Sequence, residues 1–155
     1  MNKIEVIYYL LSSQNKIEKT YFPNCHKLKM IAIPPSITSI EESSFSACSS
    51  LIQVSIPNSI NSIEDNTFEF CYSLKQINIP SSVVSIGNYS FNENGLKQIK
   101  IPHSVKSIGY FAFNKCDLKR VSLPPNITII DASTFAGCQI EQIHIPSSVT
   151  IIGNS

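Results

Sequence analysis

The hydrophobic and polar positions of this chain repeat with a nearly constant period. A seven-residue pattern, Leu-x-x-Ile-x-Ile-Pro with aliphatic substitutions, occurs six times, and its copies end at Pro34, Pro57, Pro80, Pro102, Pro124 and Pro146. The first two intervals between these prolines are one residue longer than the last three. A period of about 22 to 23 residues is typical of a solenoid, in which each repeat buries its apolar face against its neighbours.

Each copy of the pattern predicts a short β-strand. In residues 74–80, Ile77 and Ile79 face one side and Gln76 and Asn78 face the other. Proline ends the strand because it cannot donate to the ladder. A second extended stretch follows each proline, as at residues 83–86, and is expected to cross another wall of the coil. We expect strands paired in parallel and centred on equivalent residues of six coils: Ile31, Val54, Ile77, Ile99, Val121 and Ile143.

Phenylalanine and cysteine also recur at fixed positions of the coil. The phenylalanines are Phe45, Phe68, Phe91, Phe113 and Phe135, and the residues three positions beyond them are Cys48, Cys71, Asn94, Cys116 and Cys138. The segment around each Phe lacks β alternation and predicts a turn or a short 3-10 segment. Stacked coils should bury both columns, the cysteines as reduced thiols, because free cysteine is small, apolar and a weak donor. The cysteines and histidines lack the ligand spacing of a zinc site.

The two ends of the chain depart from the pattern. Phe22 and Cys25 lie one repeat before Phe45 and Cys48. Residues 1–27 are therefore interpreted as a degenerate first repeat or an N-terminal cap. Residues 28–155 are then the solenoid, with five full repeats and a truncated sixth. Because the sixth coil has no Phe and Cys segment, we expect residues 140–155 either to fray or to self-associate by end stacking.

The repeat resembles the BspA-like leucine-rich repeat of bacterial and protist surface proteins. Residues 96–116, LKQIKIPHSVKSIGYFAFNKC, follow its pattern Leu-x-x-Ile-x-Ile-Pro-x-Ser-Val-x-Ser-Ile-Gly-x-x-x-Phe-x-x-Cys almost residue for residue. The resemblance covers residues 28–155 closely and 5–27 weakly. It implies a repeat solenoid, a right-handed parallel β leucine-rich repeat with short strands and turn or 3-10 segments. It also implies adhesion or protein recognition, and it supplies no catalytic residues.

The outward positions of the predicted strands are polar and partly basic. They suggest a partner-binding face made of Lys75, Gln76, Lys97, Gln98, Lys100, Lys119 and Arg120. We predict a non-enzymatic protein-binding or scaffolding module with an adhesin-like surface, whose partner is a protein, an acidic one being an option. The alternative is a structural repeat unit that forms a homo-oligomer through its uncapped C-terminal end. The lysines could also simply keep an exposed sheet soluble, since they resist edge pairing.

Other functions find little support in the sequence. A net charge of +1 gives no general attraction to nucleic acid, and no aromatic residue alternates with the lysines to stack bases. We predict no catalytic, cofactor-binding or metal-binding residues, because the three histidines occupy different repeat positions. The pairs Glu41–Glu42 and Glu64–Asp65 are interpreted as a solvated edge. Gly87, Gly109 and Gly153 recur at one turn, for which we expect positive φ.

The sequence also bears on location. No apolar run approaches the roughly 18 residues of a membrane helix, so we expect no membrane insertion. Residues 1–13 faintly resemble a secretory signal, but Glu5 interrupts them and the apolar run that follows is short, from Val6 to Leu11. Reduced thiols fit an intracellular protein. A cytoplasmic location is therefore favoured, and the cell surface is the alternative that the family resemblance offers.

Overall fold

A computed structural model describes residue 11 and residues 13–22 and 24–154. The described chain winds into a parallel β-solenoid of short strands. In chain order these are β1 (Lys16–Ile17), β2 (Met30–Ala32), β3 (Ser39–Ile40), β4 (Gln53–Ser55), β5 (Ser62–Ile63), β6 (Ser85–Ile86), β7 (Gln98–Lys100), β8 (Ser107–Ile108), β9 (Arg120–Ser122), β10 (Ile129–Ile130), β11 (Gln142–His144) and β12 (Ile151–Ile152). The three-residue strands form what we call the front wall, and the two-residue strands form the back wall. We number the coils from the one that begins at Leu28.

The front wall shows how the repeat builds its strands. In β2, β4, β7 and β9 a buried aliphatic residue lies between two exposed ones, as the alternation predicts. The strands pair at an offset of one repeat, Ile31 with Val54 and Ile99 with Val121. Each side chain therefore lies on its equivalent in the next coil. The parallel pairing confirms the predicted strands in five of the six coils.

The third coil departs from the prediction. Residues 76–78 form no strand: a single bridge joins Ser55 to Asn78, and among the described residues no strand pairing joins 76–78 to β7. Ile77 is half-buried, whereas its equivalents Val54 and Ile99 are 5% and 6% exposed. The predicted strand centred on Ile77 is therefore wrong.

The gap in the front wall coincides with the change in repeat length. Two residues separate Cys71 from Leu74 before the third coil, but only Gly95 separates Asn94 from Leu96 before the fourth. When the turns before two neighbouring strands differ in length, the strands can pair in the usual register only if one coil shifts against the other. We attribute the lost pairing at residues 76–78 to this shift.

The third side of each coil, which we call the turn wall, carries the phenylalanine column. From Phe22 to Phe135 the rings stack with centroids 5.1 to 5.6 Å apart and interplanar angles of 1 to 15°. The backbone N–H of Phe68 donates to Ser90 O at 2.9 Å, and that of Phe91 donates to Ala112 O at 2.8 Å. The prediction of a buried column is confirmed for Phe45, Phe68, Phe91 and Phe113, which are fully buried. Phe135 is only half-buried, because among the described residues no further ring covers its outer face.

The cysteine column lies beside the rings. Each thiol from Cys48 onward donates to the carbonyl of the Phe in the preceding coil, for example Cys71 Sγ to Phe45 O at 3.2 Å and Cys116 Sγ to Phe91 O at 3.0 Å. All five cysteines are free, and Cys48, Cys71 and Cys116 are buried. Burial raises the pKa of Cys48 to about 11 and also raises the pKa of Cys71 and Cys116. Cys138 is half-buried, so the expected burial fails there for the same reason as at Phe135.

The N-terminal residues follow the same register as far as they are described. β1 pairs with β3 in parallel, with Lys16 opposite Ser39, and the ring of Phe22 stacks on Phe45 at 5.1 Å. In both pairs the two residues are one repeat apart, and this repeat has the longer length of the first coils. Residues 1–10 lie outside the described residues, and the division of the chain at residue 27 stays a prediction.

Candidate binding grooves on the two strand walls

The outward residues of the front wall line an open groove of about 700 Å³. It crosses the second to fifth coils and is centred on the gap at residues 76–78. Its polar lining is Gln53, Ser55, Gln76, Asn78, Gln98, Lys100, Arg120 and Ser122, and its floor includes Val54, Ile56, Ile77, Ile99 and Val121. Because Ile77 is only half-buried, it offers apolar surface at the centre of a polar groove.

The charged side chains that line this front-wall groove are all positive. Lys100 and Arg120 line it, and no carboxylate of the described residues does. Within the same part of the chain neither cation forms an ion pair, whereas nearby Lys119 pairs with Glu141 at 3.4 Å on the exposed surface. Unpaired cations of one sign inside a concave surface raise the local concentration of anionic groups.

The predicted partner-binding face overlaps the front-wall groove only in part. Gln76, Gln98, Lys100 and Arg120 line it, but Lys75, Lys97 and Lys119 lie one residue earlier in their coils and do not. Those three lysines are exposed, and their backbones form a ladder, with Lys97 N donating to Lys75 O at 3.2 Å and Lys119 N to Lys97 O at 3.3 Å. Gln53, Ser55, Asn78 and Ser122 are lining residues that the predicted face omitted. The sequence could have indicated these four residues, because they occupy outward-facing positions of the same two-residue alternation.

The back wall carries a second, smaller groove of about 370 Å³. Ser85, Gly87, Ser107 and Gly109 line its middle, and its charged residues are the carboxylates Glu64, Asp65 and Asp131. No Lys or Arg from the described part of the chain lines it. The two strand walls of the solenoid therefore present grooves of opposite charge.

The glycines of the back-wall groove have a role other than the one expected. Gly87, Gly109 and Gly153 do not have positive φ; among the described glycines only Gly137 does. A Cβ at Gly87 would lie 2.7 Å from the backbone N of Asp65, and one at Gly109 would lie 2.7 Å from that of Asn88. Glycine is therefore required there by the close approach of the preceding coil, and the prediction of positive φ is wrong.

Within the described residues, no group of three or more His, Cys, Asp or Glu side chains is placed to hold a metal ion. His26 Nδ1 lies 3.0 Å from Ser49 Oγ in an exposed pair at the first turn. No helix among those residues has the length and apolarity needed to cross a bilayer.

Comparison with known proteins identifies the repeat. The model of the BspA type leucine-rich repeat region matches the chain in six copies, over residues 4–118 and 84–155. A leucine-rich repeat protein from Bacteroides ovatus is 32% identical, with a TM-score of 0.75 over 89% of this chain and 43% of that one. The leucine-rich repeat protein of T. pallidum is 30% identical, with a TM-score of 0.85 over 89% of this chain and 66% of that one.

The chain thus spans 43% and 66% of the lengths of those two structures. A search of the curated proteins finds no match. The family model nevertheless covers nearly the whole sequence, and both the stacked Phe and Cys columns and the parallel coils agree with it. The chain belongs to the BspA-type leucine-rich repeat proteins.

Proposed function

We propose that this chain is a non-enzymatic protein-interaction module that binds an extended, acidic segment of a protein partner in the front-wall groove. One observation carries the proposal: the described lining of the groove includes Lys100 and Arg120 and no carboxylate. Membership of a leucine-rich repeat family supports it, since solenoids use extended faces of this kind for binding. An adhesin-like use of the same face, at a cell surface, is the more specific form of the proposal.

The side chains of the groove suit an extended peptide. Gln53, Gln76 and Gln98 offer amide donors and acceptors in successive coils, which can satisfy the backbone groups of a ligand that crosses the strands. The guanidinium of Arg120 can hold a carboxylate through two parallel hydrogen bonds, and Lys100 adds a point charge. Half-buried Ile77 provides the apolar contact that an all-polar face would lack.

The test uses two defined peptides, acetyl-Ala-Glu-Leu-Glu-Ala-amide and the same peptide with Gln in place of Glu, each carrying a fluorophore. Anisotropy titration should show tighter binding of the Glu peptide. Lys100→Glu with Arg120→Glu should weaken it by roughly tenfold or more, as expected when two charge-assisted contacts become repulsive.

Lys106→Glu is the matched control, because Lys106 is exposed on the back wall, where its backbone N–H donates to Val84 O at 2.9 Å. This variant should bind the Glu peptide as the wild type does. Equal weakening by Lys106→Glu, or equal affinity for the Glu and Gln peptides, would contradict the proposal.

A second candidate function is self-association through the sixth coil. Ile145, Ile151 and Ile152 are 45%, 55% and 58% exposed and lie on the same terminal coil. Exposed apolar side chains are typical of interaction sites, and stacking of a second copy on the sixth coil would cover them. Sedimentation should then give a mass above the monomer that Ile151→Lys with Ile152→Lys returns to the monomer. A wild-type protein that stays monomeric at every concentration would rule this candidate out.

A further inference from the structure

Three aromatic side chains form a surface cluster outside the phenylalanine column. The rings of Tyr89 and Phe111, in adjacent coils, stack at 5.2 Å with an interplanar angle of 2°. Tyr110 packs edge-on against both, 5.6 Å from Tyr89 and 4.3 Å from Phe111. Tyr110 is 40% exposed, so the cluster borders solvent rather than the core.

The backbone under this cluster argues against a purely structural role. Tyr89 and Phe111 have left-handed φ values of 53° and 54°. The equivalent left-handed residues of other coils are small and polar: Ser43, Asn66 and Ser133. Bulky side chains are disfavoured in this region, whereas Asn is well tolerated. The core already has its own ring in both of these coils, Phe91 and Phe113, so stability alone does not require aromatic residues at positions 89 and 111.

Carboxylates without cationic partners flank the aromatic cluster. Asn88 links the two: its Nδ2 donates to Asp65 Oδ2 at 3.0 Å, and its Oδ1 accepts from the Tyr110 backbone N–H at 3.0 Å. Glu69 lies close enough to Tyr89 that its charge contributes to the raised pKa of that phenol, after desolvation and the neighbouring Tyr110. Within the described part of the chain, neither Asp65 nor Glu69 forms an ion pair.

The back-wall groove and the cluster are adjacent in the chain, although no cluster residue lines the groove. Tyr110 directly follows Gly109, which lines the groove, and Tyr110 occupies the repeat position of Asp65 and Asn88, which line it too. Glu64 and Asp131 add two further charges, and no Lys or Arg of the described lining neutralises them. An exposed tyrosine ring beside carboxylates that form no ion pair within the described residues is complementary to a cation that also has a flat surface.

We infer that the aromatic cluster and the back-wall groove form a second binding site, which takes an arginine-bearing basic segment of a protein. The guanidinium lies against the ring of Tyr110 in a cation–π contact, while its N–H groups face the carboxylates of the groove. This site lies on a different wall from the front-wall groove and takes a ligand of opposite charge. The test of this second site is therefore independent of the test of the acidic-peptide proposal.

The probes are acetyl-Gly-Arg-Ala-Arg-Gly-amide and the same peptide with citrulline in place of arginine. Citrulline keeps the shape of the side chain and removes its charge. Anisotropy titration of the labelled peptides should show saturable binding of the arginine peptide and at least about tenfold weaker binding of the citrulline peptide. Equal binding of the two peptides, or no saturation with the arginine peptide, would overturn the inference.

Two kinds of variant separate this site from general surface charge. Tyr110→Ala should weaken the arginine peptide roughly 3- to 30-fold, the range of one cation–π contact, and Tyr110→Phe should not. Tyr72→Ala is the control, because Tyr72 is 55% exposed but does not line the back-wall groove, and the nearby ammonium of Lys115 pairs with Glu93 at 2.9 Å. Glu64→Gln with Asp131→Asn should also weaken binding, since it removes charge without changing size.

Tyr89→Asn provides a readout that a structural role would not give. Asn is the residue of the equivalent position 66, so the thermal midpoint of this variant should not fall while its affinity for the arginine peptide does. If Tyr89→Asn lowers the thermal midpoint and leaves the affinity unchanged, the cluster is part of the fold. If Tyr110→Ala binds as Tyr72→Ala does, the ring is not a contact. Either result overturns the inference.

Discussion

The turn wall and the front wall are built from the same repeat, yet only the first is continuous. On the turn wall every Phe of the column, from Phe22 to Phe135, stacks on the next, and the backbone of each coil bonds to the coil that follows. The strand ladders of the described chain are interrupted, on the front wall at residues 76–78 and on the back wall between β3 and β5 and between β8 and β10. The coils are thus held in register mainly by the phenylalanine wall.

The position of the length change explains the difference on the front wall. The residue that the later repeats lack is missing between Asn94 and Leu96, after the turn wall of one coil and before the front wall of the next. The rings of Phe91 and Phe113 on either side still stack at 5.3 Å and 1°. The shift of one coil against the next falls instead on the front-wall residues 76–78, which form no strand and line the groove. A rigid core and an adaptable surface therefore coexist within one repeat.

Truncation of a ring should have the largest effect on stability. Phe68 is fully buried between Phe45 at 5.4 Å and Phe91 at 5.5 Å. Phe68→Ala should lower the free energy of unfolding by about 3–5 kcal/mol, because the cavity lies between two fixed neighbours. Phe135→Ala, at a half-buried ring, should lower it by roughly half as much. Urea denaturation measures both, and equal losses would show that the column is not what holds the coils together.

The thiol column should make stability depend on pH in alkaline solution. The pKa of Cys48 is about 11 in the folded protein, against an ordinary value of 9.0. Above pH 9 the unfolded chain loses this proton and the folded chain keeps it, so the stability that the thiol contributes is lost as the pH rises toward 11. The difference in unfolding free energy between wild type and Cys48→Ala should shrink over that range. A difference that stays constant would mean that the thiol ionises equally in both states.

A substitution in the same column should stabilise the protein by a smaller amount. Asn94 takes the place of a cysteine: its Nδ2 donates to Phe68 O at 2.6 Å, but its buried Oδ1 has no hydrogen-bond partner among the described residues. Asn94→Cys keeps a donor to that carbonyl and removes the unpaired oxygen, so we expect a gain of about 1–2 kcal/mol. The reverse change, Cys71→Asn, should destabilise. A loss of stability in Asn94→Cys would show that the amide oxygen is satisfied in solution.

Most of the solenoid could be predicted from the sequence, because a repeated position occupies the same place in every coil. The Phe and Cys columns and the parallel register follow from spacing alone. The gap at Ile77 could not be predicted from the strand pattern, since residues 76–78 show the same alternation as β7, and the difference arises from the unequal lengths of the turns that precede the two coils. For the same reason the sequence indicated which side chains point outward but not which of them share a groove. The left-handed backbone of Tyr89 could not be predicted from the sequence either, because hydrogen bonds between coils impose it on a residue type that does not favour it.

Amide hydrogen exchange tests most directly whether the front wall opens at the third coil while the turn wall stays closed. The amides of residues 76–78 should exchange at least about tenfold faster than those of β9, which is paired with β7 on one side and β11 on the other. The amide of Phe91, bonded to Ala112 O at 2.8 Å, should be protected like β9. Protection of residues 76–78 equal to that of β9, or rapid exchange at Phe91, would contradict this account.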